Sequence, residues 1–113
     1  MKIDQQLISQ CIAGDRKAQL RLYDLCYSYM MSICLRYCRD RHEAGSRLNL
    51  SFLKVLQHLD SFDQNASFKA WISRITLRSI IDEFRAQQKH YKNHVYYGQP
   101  YQDADWPNEE VNH

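Results

Sequence analysis

The side chains of this chain that could do chemistry are mainly cationic, and they gather in one stretch. Lys69, Arg74, Arg78, Arg85, Lys89 and Lys92 fall within residues 68–94 against only Asp82 and Glu83, a local balance of +4. Residues 95–113 carry only Asp103, Asp105, Glu109 and Glu110, a balance of −4. The first 67 residues set nine basic against seven acidic side chains, so the net +2 of the whole chain conceals the partition. Such segregation describes a basic working surface followed by an acidic tail, and its chemistry is electrostatic rather than covalent. The same six cations could also form a solvated helix face with no ligand. The sequence contains no nucleophile–base pair, no Gly-rich phosphate loop and no zinc-ligand spacing. It therefore reads as no enzyme and requires no cofactor.

The four cysteines, Cys11, Cys26, Cys34 and Cys38, make no CxxC pair and follow no disulfide-rich spacing. Cys34, Cys38 and His42 form an i, i+4, i+8 row that could be drawn as a metal site, but no fourth ligand accompanies it. Free cysteine more often behaves as a small buried hydrophobe, and that reading is preferred.

The elements that must position the cations are helical. Glycine (3) and proline (2) are scarce in the 113 residues, which disfavours an all-β chain rich in tight turns. Hydrophobic residues make up 44% and charged residues 25%, a globular balance. The charge-free run Leu25–Leu35 is far below the ~20 residues needed to span a membrane. Met1 to Gln6 is too polar to open a secretory signal, so a cytoplasmic location is expected.

Asp4 is placed to cap a first helix that carries Leu7, Ile8, Cys11 and Ile12 and stops at Gly14. Asp15 caps a long second helix with an apolar stripe through Leu22, Leu25, Cys26, Tyr29, Met30, Ile33, Cys34 and Tyr37. Leu20, Tyr27, Met31 and Leu35 populate another face, which predicts neighbours on two sides. Arg39-Asp40-Arg41 breaks the pattern. A third helix is expected from about His42 to Leu59, weakened at Gly45, followed by a polar loop from Asp60 to Ala66. Ser67 caps a fourth helix that should bury Phe68, Trp71, Ile72, Ile75, one of Ile80 or Ile81, and Phe84, and end near Lys89. From Tyr91 onward no apolar period survives, and Tyr96, Tyr97, Tyr101 and Trp106 sit in what reads as a linker. The expectation is an all-α bundle of about four helices over residues 1–90 with a flexible acidic tail over 91–113. Ile33, Phe52, Trp71 and Ile75 should share one core cluster.

A family likeness adds function to this outline. Leu7-Ile8, Cys11 to Ala18, Leu22-Tyr23, Cys34 to Tyr37, Asp40 and Glu43-Ala44 occur in the order of a known pattern. Phe52 to Leu56, His58 to Phe62, Ser67-Phe68, Trp71-Ile72, Arg74-Ile75 and Ile81 to Arg85 continue it. Between Leu7 and Lys92 the sequence thus resembles region 2 of bacterial extracytoplasmic-function (ECF) RNA polymerase sigma factors, in a style most like those of the Bacteroidetes. The resemblance implies a transcription initiation module that binds the polymerase core and recognises and melts the promoter −10 element. Its implied partners are the β′ clamp helices, promoter DNA and an anti-sigma factor, with no membrane.

Within that likeness, Lys69, Arg74, Arg78, Arg85 and Lys89 correspond to phosphate contacts, with Thr76 and Ser79 as flanking DNA-binding candidates. Arg78 stands where many members carry asparagine, and an arginine there can make a bidentate contact to guanine or clamp a phosphate. Ser61, Phe62, Asp63, Gln64, Asn65 and Ser67 correspond to the specificity loop that accepts a flipped base. Phe62, Phe68 and Trp71 could stack on bases, although Phe68 and Trp71 stand at core spacing. Arg47, Leu48, Asn49, Ser51 and Lys54 correspond to the polymerase-binding segment. Two departures stand out. Gly45 to Phe52 lacks the acidic residues common in that segment, with Arg47 adding positive charge, and region 4, which follows a linker in full-length members, is absent from this chain. An alternative role is therefore a sigma-like interaction module that recruits polymerase or binds an anti-sigma factor without reading promoter sequence.

Overall fold

A computed structural model describes residues 2–95, with side chains through residue 90. Its order is α1 (Gln5–Ile12), α2 (Arg16–Tyr37), α3 (Arg41–His58), a short 3-10 turn (Leu59–Ser61) and α4 (Phe68–Val95). The all-α expectation holds, with four α-helices and no strand among the described residues. The expected helix end near Lys89 does not hold, because α4 continues to Val95. The expectations for the tail beyond that point concern residues outside the described ones.

Short polar side chains set where each helix begins. Asp4 accepts a hydrogen bond from Leu7 N (2.8 Å), and Asp40 accepts one from Glu43 N (2.8 Å). Asp15 accepts from both Lys17 N and Ala18 N, at 3.0 and 3.3 Å. Each satisfies an amide that the first helical turn leaves open. Glu43 returns its carboxylate to Arg39 N (2.7 Å) and pairs with the Arg39 guanidinium at 3.5 Å. That backbone hydrogen bond, more than the neighbouring charge, lowers the Glu43 pKa. Between α1 and α2 the chain reverses through Gly14, the one described residue at positive φ (92°). Gly14 N donates to Cys11 O and Asp15 N to Gln10 O, which closes the last carbonyls of α1 in a Schellman arrangement.

The chain divides into two units, Met1–Ile80 and Ile81–His113. In the first, α2 packs against α3 on one side and α1 on another. Its buried row is Ala18, Leu22, Cys26, Met30 and Cys34, a strict i+4 series. Leu7, Ile8 and Cys11 of α1 join it, with Ala44, Leu48, Phe52 and Val55 of α3 and Ile72 of α4.

Three expectations about this core change. Of the second apolar face of α2 only Met31 is buried; Leu20, Tyr27 and Leu35 are exposed, so α2 is less enclosed than its sequence suggests. Trp71 and Ile75 are only partly buried and lie against the core, while Ile33 is buried outside that cluster. Phe84, in the second unit, is 50% exposed. Along α4 the buried positions of the first unit are instead Ile72, Thr76 and Ser79, at i, i+4 and i+7. Thr76 can be buried because its hydroxyl donates to Ile72 O at 2.7 Å, which satisfies it without a partner from another helix.

Gly45 lies inside α3, and a Cβ built on it would meet nothing within 4 Å. Gly45→Ala should stabilise the protein by up to about 1 kcal/mol through helix propensity alone. A higher urea midpoint with an unchanged slope is the expected result.

Candidate nucleic-acid interface

The turn after α3 builds the polar loop from the backbone up. Phe62 N bonds back to Leu59 O (3.1 Å), and Ser61 Oγ donates to His58 O (2.7 Å), so the expected loop opens with a helical turn. Asp63 accepts from Asn65 N (2.9 Å) through its side chain, and its carbonyl accepts from Ala66 N (2.9 Å). This Asx turn points Gln64 and Asn65 outward, and both are exposed. Ser67 Oγ accepts from Ala70 N at 3.1 Å, capping α4 as its sequence position implied.

Beneath the loop lies an aromatic triad. The Phe62 ring stands edge-on to Phe68 at 5.2 Å between centroids and tilted to Trp71 at 5.0 Å. Phe68 and Trp71 complete it at 5.7 Å. All three are partly buried against the core, so they hold the loop down and retain accessible ring area.

The cations of the first unit divide between two flanks of α4. Arg74 and Arg78 are exposed and one turn apart. Lys69, also exposed, lies about 140° around the helix from Arg74 at 3.6 residues per turn. Lys69 Nζ sits 4.9 Å from the centroid of the Tyr29 ring on α2. The Tyr29 hydroxyl is 2.6 Å from Ser73 Oγ, and Ser73 Oγ donates to Lys69 O at 2.8 Å. Tyr29 and Ser73 were not singled out for function from sequence. They are 44 residues apart, and no local pattern connects them. In the second unit Lys89 is exposed and Arg85 half-buried.

Thr76 and Ser79 leave the DNA-facing set: both are buried on the inner stripe of α4 and cannot meet a base without unpacking it.

On α3 the expected polymerase-binding residues separate by face. Leu48 and Ser51 are fully buried, Ser51 with its hydroxyl donated to Arg47 O at 2.7 Å, so neither can be an outer contact. Asn49 is exposed and accepts from the Tyr23 hydroxyl at 2.7 Å, while Arg47 and Lys54 are half-buried. Leu50 and Leu53, which sequence reasoning did not assign to the site, are 43% and 55% exposed beside them.

The cysteine row does not converge. Cys34 is buried, Cys38 half-buried and His42 exposed, and among the described residues no three His, Cys, Asp or Glu side chains gather into a metal site. Among the described residues no helix is long and apolar enough to cross a membrane.

Residues 22–90 match the family described as Sigma-70 region 2, and the chain belongs to that family. It is also similar to the ECF RNA polymerase sigma factor SigW of Bacillus subtilis (strain 168), with 30% identity over 84 residues. That alignment covers 74% of this chain and 45% of the relative, so the chain spans less than half the length of SigW.

Burial raises the thiol pKa of Cys26 to about 12 and that of Cys34 to about 11. Folding therefore favours the protonated thiols. Their contribution is intact below the unfolded thiol value near ~8.5 and is lost as pH rises through the window up to the folded values. Stability at pH 10 should fall by about 1–2 kcal/mol for each buried thiol relative to pH 7. Urea melts of the parent and of Cys26→Ala at both pH values test this, and the variant should lose less on going to pH 10.

Proposed function

We propose that this chain is the promoter-engaging module of an ECF sigma factor, which binds RNA polymerase core and recognises and melts the −10 element in the cytoplasm. The observation that carries the reading is the exposed Arg74–Arg78 pair on a helix whose capped N-terminus follows a polar loop seated on three aromatic rings. Arginines one turn apart can track a phosphate backbone, and the one nearer the bases can also read an edge. Gln64 and Asn65 would meet the edge of an unstacked base, and the partly exposed rings would receive its face. Lys69 extends the cationic surface to the other flank of α4, and Arg85 and Lys89 of the second unit are further phosphate candidates.

The polymerase contact is assigned to the outer face of α3, through Arg47, Asn49 and Lys54 with Leu50 and Leu53 supplying apolar area. The β′ clamp helices are the proposed partner there, and an anti-sigma factor is a further one. The cationic character of this face also supports a second reading, a sigma-like module that recruits polymerase without promoter readout.

Fluorescence anisotropy on fork-junction DNA with polymerase core separates the two. Arg74→Ala should weaken all sequences alike and lower the slope of log K against log salt by about one unit. Arg78→Ala should relax preference at one promoter position by ~1–3 kcal/mol. Equal affinity of both variants and parent for −10 and scrambled DNA would leave the recruiter reading.

Leu53→Glu tests the polymerase face independently. It should leave the melting temperature within a few degrees of the parent, since exposed substitutions usually cost under ~0.5 kcal/mol. Core binding in a pull-down should nonetheless fall, and undiminished capture would move the contact off α3.

A further inference from the structure

We infer that Tyr29 is a positioning residue that holds the Lys69 ammonium in place for phosphate, an inference that rests on the proposed DNA-binding role of α4. The hydroxyl proton of Ser73 is committed to Lys69 O at 2.8 Å. The 2.6 Å contact between Tyr29 and Ser73 must then run from the tyrosine O–H to Ser73 Oγ. A relay results, from Tyr29 through Ser73 to the backbone of Lys69, and it closes on itself where Lys69 Nζ sits over the same Tyr29 ring at 4.9 Å.

The consequence is directional. Lys69 and Ser73 are one turn apart on α4, so both ends of the tyrosine are fixed to a single helical face. A free lysine has many rotamers to lose on meeting a phosphate. Here the ring face already restricts the ammonium while leaving Lys69 exposed. Pre-ordering of this kind increases affinity without adding a contact. Tyr29 is partly buried against the core, and its ring also contacts Lys69 on α4.

The test combines binding and spectroscopy on the full chain. Fork-junction DNA with polymerase core is titrated against the parent, Tyr29→Phe, Tyr29→Leu, Lys69→Met and the Tyr29→Leu/Lys69→Met double variant. Tyr29→Leu should weaken binding about two- to fivefold, the scale of an exposed cation–π contact. Tyr29→Phe, which keeps the ring, should recover most of that loss. In the Lys69→Met background Tyr29→Leu should add nothing, whereas a merely structural tyrosine would cost the same with or without the lysine. In NMR spectra of the free protein, the Lys69 ε-methylene protons should be shifted upfield by the ring in the parent and return toward the ordinary lysine position in Tyr29→Leu. Additive losses, or an unshifted ε-methylene signal in the parent, would overturn the inference. If the parent and Lys69→Met both fail to bind DNA, the proposed function fails and this role with it. If Lys69→Met weakens binding but Tyr29→Leu does not, only the positioning role fails.

Discussion

Ala18, Leu22, Cys26, Met30 and Cys34 follow one another every four residues along α2, and each is at most 2% exposed. An i+4 row is a ridge inclined to the helix axis, and ridges of this kind seat into the grooves of neighbouring helices. Small side chains at Ala18, Cys26 and Cys34 alternate with long ones at Leu22 and Met30, a pattern that lets neighbouring helices approach and interdigitate. The helices of the first unit are arranged about that ridge. α1 reaches it after the Gly14 reversal, and α3 lays Ala44, Leu48 and Val55 against it. Two of the ridge positions are cysteines, and burial keeps their thiols protonated.

The fourth helix relates to this ridge differently. Ile72, Thr76 and Ser79 form a narrow buried stripe, and two of the three are hydroxyl residues. A narrow, partly polar stripe buries little apolar area, so the N-terminal half of α4 is secured by particular side chains. The Phe62–Phe68–Trp71 group fastens its first turn, and Tyr29 reaches it through Ser73. Cationic side chains are left on the remaining circumference. Exposed cations on a helix secured in this way are what the proposed DNA-binding role requires.

On the outer face of α3 the polar and cationic side chains of Arg47, Asn49 and Lys54 stand beside Leu50 and Leu53, which are 43% and 55% exposed. Tyr23 ties Asn49 by a 2.7 Å hydrogen bond and meets Phe52 edge-on at 5.1 Å. The face is therefore stiffened from α2.

Much of this was legible in the chain because the controlling physics is local. Asp4, Asp15 and Ser67 mark helix starts because a short oxygen-bearing side chain reaches amides two or three residues ahead. Gly14 marks the reversal because it can adopt positive φ, and the 3.6-residue period revealed α2 and α3 because one face of each is apolar. The basic stretch was visible because charge is a property of sequence. Which side chains are buried was not: the pattern offers Thr76 and Ser79 as DNA-binding candidates and Leu48 and Ser51 in the polymerase-binding segment, and all four are buried. Their orientation depends on the rotation of α3 and α4 against α2, and hydroxyls can turn inward by bonding the carbonyl one turn back. Leu20, Tyr27 and Leu35 looked like a second core face, yet only the assembled bundle decides which sides of a helix receive a neighbour. The Tyr29–Ser73–Lys69 relay joins residues separated by 44 positions, and it exists only where α2 and α4 pass each other in space.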